Sequence, residues 1–313
     1  MAGDLKIFGG RSHPALVQEL CEYLNLSAGN VSAYNFSDGE IFCQIDENVR
    51  GSDVFVVQPT CDPVNENLME LLILLDTFKR SSASRVTAVV PYYGYARQDK
   101  KDRPRVPITA KLVADLISRA GADRVLTMDL HADQIQGFFD VPVDHLFAAP
   151  IMLEAIRDLE LPDLVIVSPD AGGVERARAI AKRLEVGLAI VDKRRTAPNE
   201  AEVMHVIGDV DGCNTLIVDD IIDTAGTLTK TVEALHRKGA RRILAAGVHG
   251  VLSGPALARI DASPLESVLI TNTIPVEEKL ARSSKLRPLS VAPLLGEAIR
   301  RIHENSSVSS LFV

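Results

Sequence analysis

The chain has 313 residues, of which 46% are hydrophobic and 24% charged, which suits two domains of ordinary size with cores of their own. A formal net charge of −8 argues against a general nucleic-acid binder, since such proteins need a basic surface for the phosphate backbone. The four cysteines lack metal-like spacing, the first residues lack the regions of a signal peptide, and no apolar run approaches membrane-spanning length. We therefore expect a cytoplasmic protein with reduced thiols and no membrane partner.

Apolar runs alternate with helical patterns along the whole chain, which is typical of parallel α/β units. The predicted strands are Leu5–Phe8, Val54–Gln58, Arg85–Val90, Arg124–Met128, Leu164–Ser168, Leu188–Val191, Leu216–Val218, Ile243–Val248 and Ser267–Thr271. The predicted helices are His13–Leu24, Asn65–Ser81, Thr109–Arg119, Pro150–Leu159, Val174–Leu184 and Leu228–Lys238. The pattern predicts an α/β fold with central, mainly parallel sheets flanked by helices.

A remote internal duplication is also indicated. Glu40–Ile45 leads into the strand at Val54, and Glu202–Ile207 leads into the strand at Leu216, so that in each case an extended, hairpin-like arm precedes a buried strand. We predict two tandem domains of like architecture, residues 1–145 and 146–304, with the tail 305–313 packing on the first.

The segment Asn35–Glu40 places an aromatic side chain beside two acids in a glycine turn. Phe36 could stack on a purine, while Asp38 and Glu40, on either side of Gly39, could accept hydrogen bonds from the amino group of the base. The alternative interpretation is a polar turn with a core phenylalanine.

Five of the nine residues from Arg97 to Arg105 are basic, and they closely follow a predicted buried strand. Open α/β sheets bind ligands at the carboxyl ends of their strands, so this run, with Gln98, is a candidate triphosphate site. A solvated charged loop is the alternative.

A candidate metal ligand, His131, also follows the end of a strand, and Asp129 and Asp133 flank it. It could bind a divalent ion or be a hydrogen-bonded loop residue. Asp170, at the top of the next predicted strand in Ser168–Gly173, favours the metal, and the glycines after it permit a close backbone approach to an anion.

Three consecutive cations, Lys193, Arg194 and Arg195, close another strand and precede a loop containing proline and asparagine. They repel one another unless an anion is present, which predicts a loop ordered by phosphate. A surface basic patch is the alternative.

The segment from Leu216 to Thr227 is the most informative. A β-branched strand ends in Asp219 and Asp220, and then Asp223, Thr224, Ala225, Gly226 and Thr227 lead into a helix. Backbone N–H groups at a helix start favour an anion, and a loop with Gly226 can fold around one as a nest. The acids cannot bind phosphate, but they can accept hydrogen bonds from vicinal hydroxyls or face a metal. The pattern therefore suits a ribose phosphate, whereas an ordinary acidic helix cap would need only one acid.

In chain order the motifs FSDGE, GYARQDKK, DLHADQIQGFF, SPDAGG, DKRR and DDIIDTAGT resemble those of class I ribose-phosphate diphosphokinases, and the resemblance covers essentially the whole chain. It implies two type I phosphoribosyltransferase-like domains and transfer of the β,γ-diphosphoryl group of ATP to the C1 hydroxyl of ribose 5-phosphate, with release of AMP. Residue by residue it implies ATP binding by Phe36, Asp38, Gly39, Glu40, Arg97 and Gln98, Mg²⁺ binding by His131 and Asp170, ribose 5-phosphate binding by Asp219, Asp220 and Asp223–Thr227, and transition-state stabilisation by Lys193 and Arg195.

The resemblance further implies a homohexamer, regulated by phosphate and ADP at a site that includes Arg50, Ser81, Arg103, Ser307, Ser309 and Ser310. Two other functions remain open from the residues. An ordinary phosphoribosyltransferase shares the ribose-phosphate loop but does not explain the ATP-like segments. A non-catalytic regulatory relative would bind the same ligands. Loss of the loop at Lys193 would favour that function, but the chain has this loop.

Overall fold

The computed structural model describes residues 3–194 and 203–311, and the chain divides into two units. The first unit contains the chain up to Phe147, Thr273–Pro275 and the chain from Val291 onward. The second contains Ala148–Asn272 and Val276–Ser290.

The elements alternate much as the sequence predicts. The strands are β1 Leu5–Gly9, β2 Val31–Asn35, β3 Ile41–Ile45, β4 Asp53–Val57, β5 Arg85–Val90, β6 Arg124–Met128, β7 Val143–Leu146, β8 Leu164–Ser168, β9 Gly187–Arg194, β10 Val203–Ile207, β11 Asn214–Ile222, β12 Arg242–Gly250, β13 Val268–Thr271 and β14 Leu286–Leu289. The helices are α1 Pro14–Leu24, α2 Val64–Arg80, α3 Thr109–Ala120, α4 Ala149–Asp158, α5 Val174–Leu184, α6 Gly226–Arg237, α7 Ala256–Ala262, α8 Glu277–Leu280 and α9 Ala292–His303, and short 3₁₀ helices lie at Asp133–Phe138 and Ser309–Leu311.

The first unit is built on a five-stranded sheet in the order β1-β4-β5-β6-β7, and every pair in it is parallel. Every residue of β4 is buried, as expected for a parallel strand covered on both faces. Leu71, Leu74 and Phe78 of α2, with Val113 and Ile117 of α3, belong to the core of this unit. Strands β2 and β3 form a separate antiparallel hairpin that contacts α2.

The second unit contains a seven-stranded sheet in the order β10-β9-β8-β11-β12-β13-β14, parallel except for β10 against β9. From β8 the chain adds β9 on one side and β11 on the other. The strand order therefore reverses between β8 and β11, and in open α/β sheets ligands bind at the carboxyl ends of the strands at such a point. This topology directs attention to the segments that follow β8 and β11.

The predicted α/β class with parallel sheets flanked by helices is confirmed. The extent of the second domain differs from the prediction of 146–304, because α9 groups with the first unit. There His303 Nδ1 lies 2.8 Å from Asp53 Oδ2, and Arg85 Nη2 donates to the Ile302 carbonyl at 2.9 Å. The described part of the tail, to residue 311, also groups with the first unit.

The two arms of the predicted duplication are both antiparallel, but they pair differently. Strand β3 pairs with β2 in a sheet of its own, whereas β10 pairs with β9 at the edge of the main sheet. The sequence analysis did not predict β7, β14 or helices α7, α8 and α9. In the part of the chain that the structure describes, no helix combines the length and apolar character needed to cross a membrane.

Candidate functional site

Strand β11, which pairs with β8, ends later than predicted, so the polar segment after it also begins later. Pairing of β11 with β8 ends at Ile217, but pairing with β12 continues through Ile222, so Asp219 and Asp220 belong to the strand. The prediction that the strand ends at Val218 was wrong, because β12 continues to supply backbone partners after β8 has diverged. The two carboxylates therefore lie on the rigid end of a strand at the reversal point rather than in a loop.

The turn from β11 into α6 has its left-handed residue at Ala225, with φ 56° and ψ 14°. The sequence analysis had assigned the nest-forming flexibility to Gly226, but Gly226 is the first residue of α6. The N–H groups of the first turn of a helix have no intrahelical acceptor and can bind an anion. Asp223–Thr227 thus lead into a helix start, and the phosphate site predicted there stays a prediction.

A group of carboxylates lies beside this turn. Burial, together with the hydrogen-bonded and charged Asp220 and the charge of Asp170, holds the pKa of Asp219 well above its ordinary value, while Arg176 opposes the shift. The Asp220 N–H donates to Asp219 Oδ1 at 2.9 Å, and Arg176 Nη1 lies 3.4 Å from Asp220 Oδ1. Asp170 Oδ1 accepts from the Gly173 N–H at 2.9 Å, which orients it at the start of α5. Carboxylates that raise one another's pKa in this way favour a bound cation.

Within residues 3–194 and 203–311, no three His, Cys, Asp or Glu side chains are arranged to hold a metal by themselves. Carboxylates are the oxygen donors that Mg²⁺ takes in proteins, usually one or two together with water and substrate phosphate. The second predicted ligand, His131, is exposed after β6 in the first unit.

The loop that carries His131 is held by a histidine that the sequence analysis missed. His145, which is buried in β7, accepts a hydrogen bond from the Leu130 N–H at its Nε2 over 2.9 Å. Gln134 donates to the buried Asp99 at 3.2 Å, which joins this loop to the basic segment after β5. The carboxyl ends of β5 and β6 are therefore linked within the first unit.

Arg97 and Gln98 line a pocket of about 630 Å³ in the first unit. Its lining residues come from the start of α2 and from the turn after β5: Asp62, Pro63, Val64, Asn65, Glu66, Tyr92, Gly94, Tyr95, Arg97 and Gln98. Tyr95 has a positive φ of 65°, and its carbonyl accepts the Gln98 N–H at 2.9 Å. Thr109 donates to Gln98 Oε1 at 2.5 Å. The pocket thus brings the Arg97 guanidinium and the Gln98 amide together with two tyrosines and two acids, and its role in ATP binding stays a prediction.

Phe36, Asp38, Gly39 and Glu40 occupy the turn of the β2–β3 hairpin and do not line this pocket. The Glu40 N–H donates to Asp38 Oδ1 at 3.1 Å, and Gly39 has a φ of 95°. Phe36 is 47% exposed, and its ring lies against the Tyr34 and Phe42 rings of the hairpin. The alternative interpretation, in which Phe36 belongs to the core, is therefore wrong.

The hairpin stem is nevertheless joined to the pocket. Asn35 Nδ2 donates to Glu66 Oε1 at 3.1 Å, and Glu66 is one of the pocket-lining residues.

The backbone of Lys193 pairs with Met204 between β9 and β10. The Lys193 side chain and the whole of Arg195 lie outside the described residues. Their predicted catalytic roles therefore remain predictions.

The six predicted regulatory residues fall in four segments of the chain. Arg50 and Ser81 lie in turns that the structure joins, because the Gly51 N–H donates to the Ser82 carbonyl at 2.9 Å. Ser307, Ser309 and Ser310 lie together in the tail: the Ser307 and Ser309 hydroxyls are 3.1 Å apart, and Arg301 donates to Ser310. Arg103 is exposed and lies 3.3 Å from its neighbour Asp102.

Two further residues contact the candidate sites and were not predicted. Thr60, after β4, accepts a hydrogen bond from the Gly94 N–H at 2.6 Å. Arg259, in α7, donates to the Thr224 carbonyl at 2.9 Å. Neither belongs to a local motif. The available signal is topological, because segments that follow adjacent parallel strands meet at one edge of a sheet.

Comparison with known proteins bears on the whole chain. The family described as "N-terminal domain of ribose phosphate pyrophosphokinase" matches residues 5–121, and the "Phosphoribosyl synthetase-associated domain" matches residues 194–313. A ribose-phosphate pyrophosphokinase of Caldanaerobacter subterraneus is 58% identical over 99% of this chain and 98% of its own length. One of Wolinella succinogenes is 55% identical over 98% of this chain and 99% of its own. A crystal structure of phosphoribosylpyrophosphate synthetase from Mycobacterium smegmatis, 45% identical, aligns with a TM-score of 0.92 over 97% of this chain and 100% of that one.

Proposed function

The chain belongs to the ribose-phosphate pyrophosphokinase family, and on that premise we propose that it transfers the β,γ-diphosphoryl group of ATP to the C1 hydroxyl of ribose 5-phosphate, releasing AMP. The observation that carries the assignment in the structure is the end of β11, where the part-buried Asp219 and the buried Asp220 are followed within a few residues by a helix start suited to a phosphate.

Ribose 5-phosphate binds along this segment. The backbone N–H groups and hydroxyls of Thr224–Thr227 donate to the 5-phosphate, and the partial positive charge of the α6 start adds to them. Asp219 and Asp220, near the end of β11, accept hydrogen bonds from the ribose hydroxyls. When the 5-phosphate and the ribose hydroxyls are both held, the C1 hydroxyl is fixed in position to react.

ATP binds in the first unit through the pocket that contains Arg97 and Gln98, with Arg97 on the phosphates. Phe36, Asp38, Gly39 and Glu40 recognise the adenine in this proposal, and their exposure on a hairpin turn is compatible with contact to a ligand. A purine ring stacked on Phe36 would bury part of an aromatic side chain that is now half-exposed.

His131 and Asp170 are the proposed Mg²⁺ ligands, each considered within its own unit. Mg²⁺, when bound, supplies a clamp on phosphate oxygens and offsets their negative charge. Asp170 and its acidic neighbours provide the hard oxygen donors that such an ion takes.

Lys193 and Arg195 stabilise the charge that develops on the transferred group. Phosphoryl transfer needs little covalent help from the protein and depends on in-line positioning and charge neutralisation. No activated side-chain nucleophile is required, because the attacking atom belongs to the substrate.

³¹P NMR of the protein with ATP, ribose 5-phosphate and Mg²⁺ tests the reaction. Equal appearance of AMP and of a diphosphoryl group on ribose C1 is expected. ADP in place of AMP would contradict the diphosphoryl transfer, and binding of both substrates without turnover would favour a regulatory relative. Lys193→Ala should lower kcat by on the order of a thousandfold while the circular dichroism spectrum is unchanged. Lys182→Ala, at an exposed position of α5, is the matched control and should retain its activity.

A homohexamer and regulation by phosphate and ADP complete the proposal. Sedimentation velocity with and without phosphate tests the assembly, for which a species of six chain masses is expected. Joint replacement of Ser307, Ser309 and Ser310 by alanine should remove the response to phosphate and preserve that mass.

A further inference from the structure

The segment that follows β12 makes three hydrogen bonds in succession, one to the last residue of β11 and two to the turn after it. The Leu252 N–H donates to the Ile222 carbonyl at 2.9 Å. The Ser253 hydroxyl donates to Asp223 Oδ1, and Arg259 Nη1 donates to the Thr224 carbonyl at 2.9 Å. Consecutive residues from the end of β11 into the proposed phosphate turn are thus held by residues 30 or more positions away in sequence.

The Arg259 contact determines the direction of a peptide plane. The Thr224 carbonyl and the Ala225 N–H belong to one planar trans peptide, so they point in opposite directions. When the guanidinium holds the carbonyl, the N–H is directed away from Arg259. If the peptide turned over, a carbonyl oxygen would replace the N–H, and it would repel a phosphate instead of binding it.

The conformation of the turn requires such support. Ala225 is left-handed, with φ 56°, a region that is unfavourable for a residue with a Cβ. The Ala225 carbonyl is held by α6 itself, because it accepts the Thr229 N–H at 3.0 Å. The Thr224 carbonyl precedes the helix, and its bond comes from Arg259.

The guanidinium also lies close to the start of α6. A Cβ added at Gly226 would lie 3.4 Å from Arg259 Nη1, in van der Waals contact. Arg259 itself is exposed, so the contact is formed at the surface of the second unit by a side chain that reaches back to the turn.

We propose that Arg259 is a positioning residue for ribose 5-phosphate, which holds the Thr224–Ala225 peptide with its N–H toward the phosphate. The inference rests on the proposed function, since it assumes that this turn binds the 5-phosphate. It assigns to Arg259 an action through the turn and no contact with substrate.

Isothermal titration of ribose 5-phosphate into the full-length protein tests this directly. Arg259→Met keeps an apolar stem and removes the donor, so the Kd for ribose 5-phosphate should rise on the order of tenfold, the scale of a lost charge-assisted hydrogen bond at an exposed site. The Kd for a non-hydrolysable ATP analogue should stay unchanged. Arg282→Met, at another exposed arginine of the second unit, controls for the loss of one positive charge and should bind as wild type does.

A chemical rescue separates positioning from general stability. Millimolar methylguanidinium added to Arg259→Ala should restore the Kd toward the wild-type value and leave Arg282→Ala unaffected. In steady state, Arg259→Met should raise the KM for ribose 5-phosphate and retain kcat at saturation.

Wild-type affinity in Arg259→Met would overturn the inference, and so would weakened binding that methylguanidinium does not restore. Absence of both binding and turnover in the wild-type protein would instead remove the proposed function. The two failures are therefore distinguishable.

Discussion

Replacement of Thr60 by valine provides a sharp test of how the first-unit pocket is shaped. The Thr60 side chain is 1% exposed, and its hydroxyl accepts the Gly94 N–H at 2.6 Å and donates to the Tyr92 carbonyl at 3.2 Å. Valine has nearly the same shape but neither donor nor acceptor. The Tyr92 carbonyl would keep its bond from the Thr60 N–H at 2.9 Å, so the group left without its partner is the buried Gly94 N–H.

The free-energy cost of the substitution comes from the unpaired Gly94 N–H. An unsatisfied buried donor costs about 1–3 kcal/mol, and Gly94 cannot retreat from Thr60, because it already packs so closely that an added Cβ would collide with the Thr60 carbonyl. If the whole cost falls on the turn that leads to Arg97 and Gln98, the KM for ATP rises roughly five- to 160-fold. The KM for ribose 5-phosphate should not change. Steady-state kinetics with each substrate varied in turn measures both.

Thr60→Ser is the matched control. Serine keeps the hydroxyl and loses one methyl group, which costs about 0.8 kcal/mol of stability and should leave the KM for ATP as it is. Equal KM values for ATP in the serine and valine variants would refute the reasoning, because packing would then matter and the hydroxyl would not.

Other parts of the first unit give further predictions. Arg85→Met removes the two hydrogen bonds that Arg85 donates to Asp53 at 2.8 and 2.5 Å. Because the Arg85 side chain is one quarter exposed, we expect the free energy of unfolding to fall by about 2–3 kcal/mol, which is less than for a fully buried pair. Because Arg85 also donates to the Ile302 carbonyl of α9, amide hydrogen exchange in α9 should then be roughly 30- to 160-fold faster, and unchanged exchange would contradict this role of Arg85. Gly296→Val should destabilise this unit by about 1–3 kcal/mol, since a Cβ there would overlap the Tyr23 ring, and adding Tyr23→Ala should recover part of the loss in thermal unfolding. Burial raises the pKa of the Cys43 thiol to about 11, so its alkylation by iodoacetamide should accelerate about tenfold per pH unit up to about pH 10, and a plateau below about pH 9 would contradict this.

The elements with clear local signals were predicted closely. The sequence analysis placed Leu164–Ser168 and Val174–Leu184 at the bounds that β8 and α5 have in the structure. A fully apolar run and a strong helical period leave little ambiguity, and the glycines between them mark the turn. These two elements alone are enough to place Asp170 just after the carboxyl end of β8.

The turn after β11 was predicted less well, because its geometry depends on residues far away in sequence. Two adjacent acids suggest a loop, since charged side chains are rare in buried strands, yet β12 extends the strand through both of them. Local preference assigns positive φ to Gly226, whereas the turn has it at Ala225, where bonds from the neighbouring segment hold the backbone.

The grouping of α9 with the first unit lacks a local signal for a related reason. Sequence order places the helix after the last strands of the second unit, and no local pattern indicates which sheet it joins. The contact between His303 and Asp53 joins residues that are 250 positions apart. Such pairings are set by tertiary packing and leave no periodic signal.

Thr60 and Arg259, which the motifs did not reveal, have the same place in the topology. Thr60 follows β4 and holds the turn after β5, and β4 and β5 are adjacent and parallel. Arg259 follows β12 and holds the turn after β11, and these strands are also adjacent and parallel. In both units, therefore, one turn carries the proposed ligand-binding groups, and a residue from the segment that follows the adjacent strand holds that turn. A motif moved to another protein without its neighbour would keep its donors and lose the geometry that makes them a binding site.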